Sequence, residues 1–313
     1  MNLTNLQLFL SAAVIAGTPL LFATLGEIIT EKAGNLNLGI EGMMLMGAVV
    51  GFITAYNQGN PILALIAAFL AGAFGSLIYA FLTVSLRVNH EVSGLALTTF
   101  GTGFAGFLGQ AYVGKVVPGN VRQAFGNIKI PLLGDIPFIG EILFNKDPMV
   151  YLSYIVVIII GIYLYRTRKG LNLKAIGENP AAADAAGINI SLYKYVNILI
   201  GGALCGLGGA YLSLIYVPAW QESVVAGRGW IAVALVIFVT WNPYKAIAGA
   251  YLFGGLDILG FRLQKFQLNI PQYFLDMLPY AATIIILVIA SVKRSKKNLP
   301  PQSMGIPYFR ENR

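Results

Sequence analysis

The sequence predicts an all-α protein, a polytopic bundle of transmembrane helices, from three observations. The 313 residues are 57% hydrophobic and only 11% charged, whereas soluble domains carry about 25% charged residues. The mean hydropathy is +0.72, and a soluble chain of this size cannot bury so much apolar surface because much of any folded protein faces its solvent. The apolar runs are long and do not alternate with polar residues, and in hydrocarbon such runs satisfy their backbone as helices.

Apolar runs of near-spanning length predict about nine spans and a single transmembrane domain over residues 1–313. The seventh run is short and ends at Trp241-Asn242-Pro243, which favours a broken or re-entrant segment, and the eighth carries Asp257. Residues 1–7 lack the basic region of a cleavable signal peptide. The predicted spans lie at about 6–25, 38–56, 62–86, 92–112, 149–165, 195–217, 229–241, 244–261 and 273–292.

The basic residues predict the orientation of the chain in a bacterial-type plasma membrane. One cluster follows the fifth span and a second follows the last span, and the positive-inside rule places both in the cytoplasm. The amino terminus and the loop at 113–148 are then outside, and the carboxyl terminus is cytoplasmic. The net charge of +8 therefore reflects topology, and we expect no nucleic-acid partner. The two clusters are Arg166, Arg168, Lys169 and Lys174, and Lys293, Arg294, Lys296 and Lys297.

Several classes of protein are excluded by missing residue types. One histidine and one cysteine, Cys205, do not make a metal site or a disulfide framework. Residues 109–115 match most of a phosphate-binding loop, but Val116 stands where Ser or Thr must hold magnesium. The GxGxxG match at 101–106 lies inside a predicted span with no preceding strand. We therefore expect no cofactor, no metal and no enzymatic activity in this chain, and any ATP hydrolysis on a separate chain.

The segment at 26–48 joins the first two spans but is polar and rich in glycine, and it places Glu41 about one turn inside the second span. Irregular backbone and an acid at membrane depth are costly unless they face protein or a water-filled path. Two interpretations remain open. Either this segment lines a translocation path, or it is an ordinary cytoplasmic turn whose Glu41 pairs with a neighbouring helix end.

The segment at 166–194 is too polar to span and contains a short predicted helix. Asn179 can cap it, Pro180 suits its first position, residues 181–186 favour helix strongly, and Gly187 ends it. A surface helix held at both ends by membrane helices can transmit a partner's motion as a rigid body. The alternative is a helical loop that lies on the membrane.

Three stretches of the chain resemble the permeases of ribose-type sugar and nucleoside ATP-binding-cassette (ABC) importers. They are GEIITEKAGNLNLGIEGMMLMGA at 26–48, KAIGENPAAADAAGI at 174–188 and GRGWIAVALVIFVTWNP at 227–243. The resemblance covers nearly the whole chain and is closest to the branch that works with basic-membrane-protein-type nucleoside-binding lipoproteins. It implies a permease subunit that forms the path for nucleosides. It also implies three partners besides membrane lipid: a cytoplasmic ATPase, a second, related permease chain, and an extracytoplasmic solute-binding lipoprotein.

The same resemblance assigns site residues. It makes the loop at about 166–194 the coupling loop that docks into the ATPase. The candidate coupling residues are Gly177, Glu178, Asn179, Pro180, Ala183, Asp184 and Gly187. Apart from the resemblance, a polar, uncharged solute suits a path with few ionisable groups, and the candidates for the translocation path are Asn35, Asn37, Glu41, Met44 and Asn242.

Two alternatives stay open at this point. The chain could be a permease for simple sugars in the same family. It could also be a single-chain secondary transporter, a class that tends to show inverted repeats with paired broken helices and ion sites at the midplane. The sequence holds no convincing second copy of 26–48, and Glu41 and Asp257 are not obviously matched.

Overall fold

The computed structural model describes residues 3–264, 274, 277–292 and 299–310, and these are mostly helical, as predicted. Residues 81–85 and 212–216 continue the helices that precede them as π-helical turns, and residues 110–112 continue the helix before them as a 3-10 turn. Two short antiparallel strands, β1 (Ile128–Lys129) and β2 (Asn145–Lys146), form a hairpin. The helices are α1 (Leu3–Lys32), α2 (Ile40–Gln58), α3 (Pro61–Ala80), α4 (His90–Gly109), α5 (Gly119–Ala124), α6 (Ile139–Leu143), α7 (Pro148–Arg166), α8 (Arg168–Glu178), α9 (Pro180–Ala185), α10 (Ile190–Tyr211), α11 (Arg228–Phe238), α12 (Pro243–Gln264) and α13 (Leu278–Val292).

Within the described residues, 6 helices are long and apolar enough to cross a membrane, and they coincide with the first six predicted spans. Helix α11 is apolar but has only 11 residues. Helices α12 and α13 occupy the positions of the last two predicted spans. The count of nine spans therefore stays a prediction for the last three segments. The basic cluster after the last span lies outside the described residues.

Helix α1 is longer than the sequence suggested. The first span was expected to end near residue 25, but the helix continues to Lys32, so only residues 33–39 are irregular. Its polar last two turns stay helical because they pack against α10. Gly26 lies directly on the backbone of Gly201, and the Thr30 hydroxyl donates to the Gly26 carbonyl at 3.0 Å. Tertiary packing therefore stabilises a helical end that hydropathy alone does not show.

Helices α1, α2 and α10 form the centre of the bundle. Their apolar windows are 67%, 72% and 83% buried, whereas those of α3, α4 and α7 are 39%, 33% and 39% buried. The central helices approach closely at glycines. A Cβ on Gly47 would overlap the backbone of Gly206, and small residues of this kind permit the contact that holds membrane helices together.

Replacing Gly47 with alanine should lower the thermal stability of the protein. The added methyl group overpacks the α2–α10 contact, which costs about 1–3 kcal/mol. Gly103→Ala is the matched control, because a Cβ at Gly103 meets nothing within 4 Å. We expect a lower midpoint of thermal unfolding in detergent for Gly47→Ala only. Equal midpoints for the two variants would show that this contact is not tightly packed.

The predicted surface helix is present. Helix α9 begins at Pro180, the Asn179 side chain accepts from the Ala182 N–H at 3.0 Å, and Gly187 follows the helix with φ +80°. The sequence analysis did not predict α8, which precedes it and is capped by the Thr167 hydroxyl.

The two ends of the bundle carry different loops. At one end, which we call the α9 end, segment 33–39, α8, α9 and the carboxyl-terminal tail (residues 299–310) lie together. At the opposite end, the chain after α4 meets the chain after α10 through a bridge between Val116 and Ala219.

Candidate functional site

Segment 33–39 is irregular but its polar backbone groups are bonded to surrounding helices. The Leu36 carbonyl accepts from the Tyr79 hydroxyl at 2.6 Å, and the Leu38 carbonyl accepts from the Thr98 hydroxyl at 2.9 Å. The Asn37 N–H donates to a carboxylate oxygen of Glu27 at 3.0 Å. Irregular backbone next to membrane helices is tolerated where protein satisfies its polar groups, and here protein does so.

Glu41, at the beginning of α2, binds the amino-terminal end of α11. Its two carboxylate oxygens accept from the Gly227 N–H at 2.8 Å and from the Gly229 N–H at 2.7 Å. Gly227 has φ +81°, a backbone conformation that suits glycine. The first N–H groups of a helix lack partners within it and carry partial positive charge, so a carboxylate there stabilises the helix. The contacts show Glu41 paired with a helix end, and a path role for Glu41 stays a prediction.

This contact lies inside the bundle. Gly42 packs against the backbone of Leu97 and Thr98. Those two residues are about two turns along α4 from its start at His90. Helix α11 therefore begins inside the bundle, at a level about two turns from the end of the spanning helix α4. This position agrees with the prediction that the seventh segment is broken or re-entrant.

An ion pair adjoins the start of α11. The Arg228 guanidinium lies 2.8 Å from the Asp257 carboxylate, and the two side chains are 15% and 31% exposed. Arg228 also lies 5.4 Å from the centre of the Tyr216 ring, and a Cβ on Gly227 would touch the Tyr280 hydroxyl. This cluster of Tyr216, Arg228, Asp257 and Tyr280 offers partly exposed polar groups at the depth of Glu41. We call it the Arg228 cluster.

Sequence reasoning missed Arg228 and left Asp257 without a partner. The signal that was available was the coexistence of one arginine and one aspartate in two neighbouring apolar segments, because intramembrane charges tend to pair. The structure pairs Asp257 with Arg228 and not with Glu41.

Exchanging the two charges tests this pair. Arg228→Asp or Asp257→Arg alone places two like charges together, and we expect each to reduce transport about tenfold or more. The double exchange restores an ion pair and should recover part of the loss. Uptake into vesicles, normalised to the amount of protein in the membrane, measures this. If the fold-loss of transport in the double variant equals the product of the two single fold-losses, the two residues act independently.

Each of the other predicted path residues makes contacts of its own. The Asn35 amide donates to the Thr83 hydroxyl at 3.2 Å, and the Asn37 side chain accepts from the Gly39 N–H at 2.8 Å. Met44 is fully buried where α2 meets α10. Asn242 is half-buried at the beginning of α12 and accepts from the Tyr244 N–H at 2.9 Å. These contacts support the local structure, and a path role for these four residues stays a prediction.

The turn between α11 and α12 is held against the end of α1. Thr240 and Trp241 have φ values of 54° and 52°, which are uncommon for residues other than glycine. The Trp241 indole N–H donates to the Glu31 carboxylate, and the Lys32 ammonium lies 5.6 Å from the centre of the indole ring. A strained turn persists where its surroundings hold it in place, and the Glu31 and Lys32 contacts do so here.

The seven predicted coupling residues differ in exposure. Glu178, Asn179 and Gly187 are exposed, and Pro180 and Asp184 are half-buried. Two others are buried within the chain. Gly177 packs against the end of α1, and Ala183 packs with Ile176 and Ile190. The exposed members are therefore available to a partner, whereas Gly177 and Ala183 connect α8 and α9 to the bundle.

The carboxyl-terminal tail joins this surface, and sequence reasoning missed it. The Tyr308 hydroxyl donates to the Asp184 carboxylate at 2.9 Å, and the Arg310 guanidinium lies 3.1 Å from the same carboxylate. The Ser303 N–H donates to the Gly177 carbonyl at 2.9 Å, and the Gly305 N–H donates to the Gly34 carbonyl at 3.2 Å. The tail thus links α9, α8 and segment 33–39.

At the opposite end, Asp147 ties α7 to α10. Its carboxylate accepts from the Met149 and Val150 N–H groups, at 3.0 and 3.1 Å, and from the Tyr211 hydroxyl at 3.0 Å. Burial raises the pKa of Asp147, while these hydrogen bonds lower it. Because burial is the larger effect, Asp147 gains a proton more readily than an exposed aspartate does.

Comparison with known proteins supplies the family context. The profile of a family described as the permease component of the branched-chain amino acid transport system matches residues 9–287. A Haloferax volcanii protein provisionally named a glucose ABC transporter permease is 37% identical, over 96% of this chain and 97% of that protein. A nucleoside ABC transporter permease of Lactococcus lactis subsp. cremoris is 35% identical, over 99% of each chain. A guanosine ABC transporter permease of Bacillus subtilis is 33% identical, over 98% of each chain.

Proposed function

This chain belongs to the family of permease components of the branched-chain amino acid transport system, and we propose that it forms the translocation path for nucleosides in an ABC importer. It is a multi-pass protein of the cell membrane with 6 long apolar helices among its described residues. The observation that carries the proposed substrate is the match, along 98–99% of the chain, to one nucleoside permease and one guanosine permease.

The Arg228 cluster supports a path for a polar solute without net charge. Its tyrosine hydroxyls and its ion pair offer donors and acceptors to the hydroxyls and ring nitrogens of a nucleoside. Because the two charges neutralise each other, the cluster carries no net charge that would attract an ion. Glu41 supports this arrangement indirectly by holding the start of α11 in place.

Coupling to a separate ATPase would take place at the α9 end, which we assign to the cytoplasm. Glu178, Asn179 and Gly187 are exposed there and would contact the ATPase directly. Motion of α9 would reach segment 33–39 through Gly177 and the tail, because the Gly177 and Gly34 carbonyls both accept from tail N–H groups. A rigid helix that is bonded at both ends can transmit such a motion.

The remaining partners follow from the same assignment. The loop at 113–148 and the beginning of segment 217–229 would face outwards and receive a solute-binding lipoprotein, whereas Gly227 and Gly229 lie inside the bundle at Glu41. A second, related permease chain would complete the path, with the partly exposed Arg228 cluster towards it. The amino terminus would be outside and the carboxyl terminus inside.

A sugar is the second candidate substrate, because the Haloferax volcanii relative is the most similar of the three proteins compared above, at 37% identity. Nucleosides and simple sugars share the hydroxyl groups that a polar path would bind. The contacts described here therefore suit both substrates. The binding protein and the measured uptake distinguish them.

The test is purification from the native membrane in mild detergent, followed by reconstitution. Recovery of an ATPase and a second permease, with ATP-dependent uptake of guanosine or uridine and not of glucose, is the expected result. ATP-dependent uptake of glucose alone would establish the sugar alternative. A chain that is recovered alone and moves solute along an ion gradient without ATP would overturn the importer assignment.

A further inference from the structure

A cavity of about 400 Å³ opens at the α9 end, outside the Arg228 cluster. It lies between the π-helical end of α3, the chain from α9 into α10, and the carboxyl-terminal tail. Its walls carry more cations than anions. Its charged and hydroxyl-bearing lining residues include Arg87, Asp184, Ser191, Lys194, Tyr308 and Arg310.

Lys194 is the unusual member of this cavity. Its side chain lines the cavity but is only 4% exposed. Within the described part of the chain, it has no hydrogen bond and no ion pair. Burying an ammonium without a counter-charge costs free energy. An anion bound in the cavity would offset that cost for Lys194.

The acid in the cavity does not fill that role. Asp184 is the one acidic residue among the described residues that line it. Its carboxylate already accepts from Tyr308 and pairs with Arg310. The Arg310 charge therefore balances the Asp184 charge, and Lys194 remains in excess.

The helix that carries Lys194 adds to the attraction for an anion. Helix α10 has 22 residues, and its first turn, with Ile190 and Ser191, opens into the cavity. The Leu192 N–H is already bonded to the Asn189 side chain at 3.0 Å, so this turn offers the N–H groups of Ile190 and Ser191. Together with the helix dipole they make the terminus favourable for phosphate. The Ser191 hydroxyl is a further donor beside it.

We infer that this cavity binds a phosphate-class anion, held between the buried Lys194 ammonium and the first turn of α10. The phosphate of an anionic phospholipid headgroup and free inorganic phosphate share this chemistry. The site is separate from the transported solute, so it does not depend on the proposed substrate.

Two variants and one control test the site. Lys194→Gln removes the buried charge. Ser191→Asp places a carboxylate in the cavity mouth and keeps Lys194, and an acid in the first turn of a helix does not oppose folding. Lys169→Gln is the control, because Lys169 is an exposed lysine of α8 and does not line the cavity.

The binding of two probes to the purified full chain is measured. Native mass spectrometry counts bound phosphatidylglycerol against phosphatidylcholine, and equilibrium dialysis of delipidated protein measures inorganic phosphate. We expect binding of one probe to weaken about tenfold or more in both variants and to change less than twofold in Lys169→Gln. Loss of phosphatidylglycerol would identify a lipid headgroup, and loss of inorganic phosphate alone would identify a free anion.

Equal binding by all four proteins, or no binding of either probe to the unaltered chain, would overturn the inference. If neither probe binds and both variants instead lose a copurified ATPase, the cavity belongs to an acidic group of that partner. Uptake is not the readout, so failure of this site and failure of the proposed function are distinguishable.

Discussion

Replacing Asp184 with lysine should strongly reduce ATP-dependent uptake while the chain still inserts into the membrane. The Asp184 carboxylate accepts from Tyr308 and pairs with Arg310. A lysine there would face Arg310 with a like charge, detach the tail from α9 and reverse the charge at the proposed ATPase contact. Because one residue serves both contacts, we expect a loss of at least about tenfold in uptake.

Asp135→Lys is the matched control for this prediction. Asp135 is an exposed acid at the opposite end and pairs with Lys129 at 2.5 Å. Exposed ion pairs contribute about 0–1 kcal/mol, so this reversal should leave uptake nearly unchanged. Membrane abundance and copurified ATPase are measured in parallel. Normal uptake by the Asp184 variant would remove Asp184 from the coupling surface.

Addition of Arg310→Asp to the Asp184 variant separates two causes. If uptake fails because the tail is detached, the exchanged pair should recover part of it. If it fails because the ATPase no longer docks, the exchanged pair should recover none. Either outcome is read from the same uptake measurement, normalised to protein in the membrane.

Replacing Glu41 with alanine should have the second large effect. The substitution leaves the Gly227 and Gly229 N–H groups without their acceptors inside the bundle, at a cost of about 1–3 kcal/mol for each unsatisfied group. The start of α11 would shift, and the Arg228–Asp257 pair lies next to it. We therefore expect a lower midpoint of thermal unfolding together with a loss of uptake.

Glu91→Ala is the control for Glu41. Like Glu41, Glu91 is the second residue of a helix, but it is exposed. Its replacement should leave the unfolding midpoint nearly unchanged. Glu41→Gln keeps an acceptor oxygen and should fall between the alanine variant and the unaltered protein. A Glu41→Ala protein as stable and active as the control would show that α11 does not depend on this contact.

Much of the fold could be predicted because its signals are local. The length of an apolar run indicates a helix wherever that helix packs, and six predicted spans coincide with six long helices. The signal for the start of α9 was equally local, since the Asn179 side chain accepts from an N–H three residues along the chain.

The site was less accessible from the sequence because its contacts join distant parts of the chain. Glu41 and Gly227 are separated by 186 positions, and Tyr308 and Asp184 by 124. Neither hydropathy nor helix propensity contains information about which helix end a carboxylate will meet. The polar end of α1 illustrates the same limit, since its helical state depends on contact with Gly201.

The sequence by itself therefore determined that this is a helical membrane protein with a capped surface helix, and only its resemblance to known permeases indicated transport. Those properties depend on the composition of each segment and on hydrogen bonds between near neighbours. Only the tertiary structure decided that Glu41 holds the start of α11, that Arg228 pairs with Asp257, and that the tail binds α9. The physical reason is that a buried charge takes whichever partner the packed helices bring within hydrogen-bond distance.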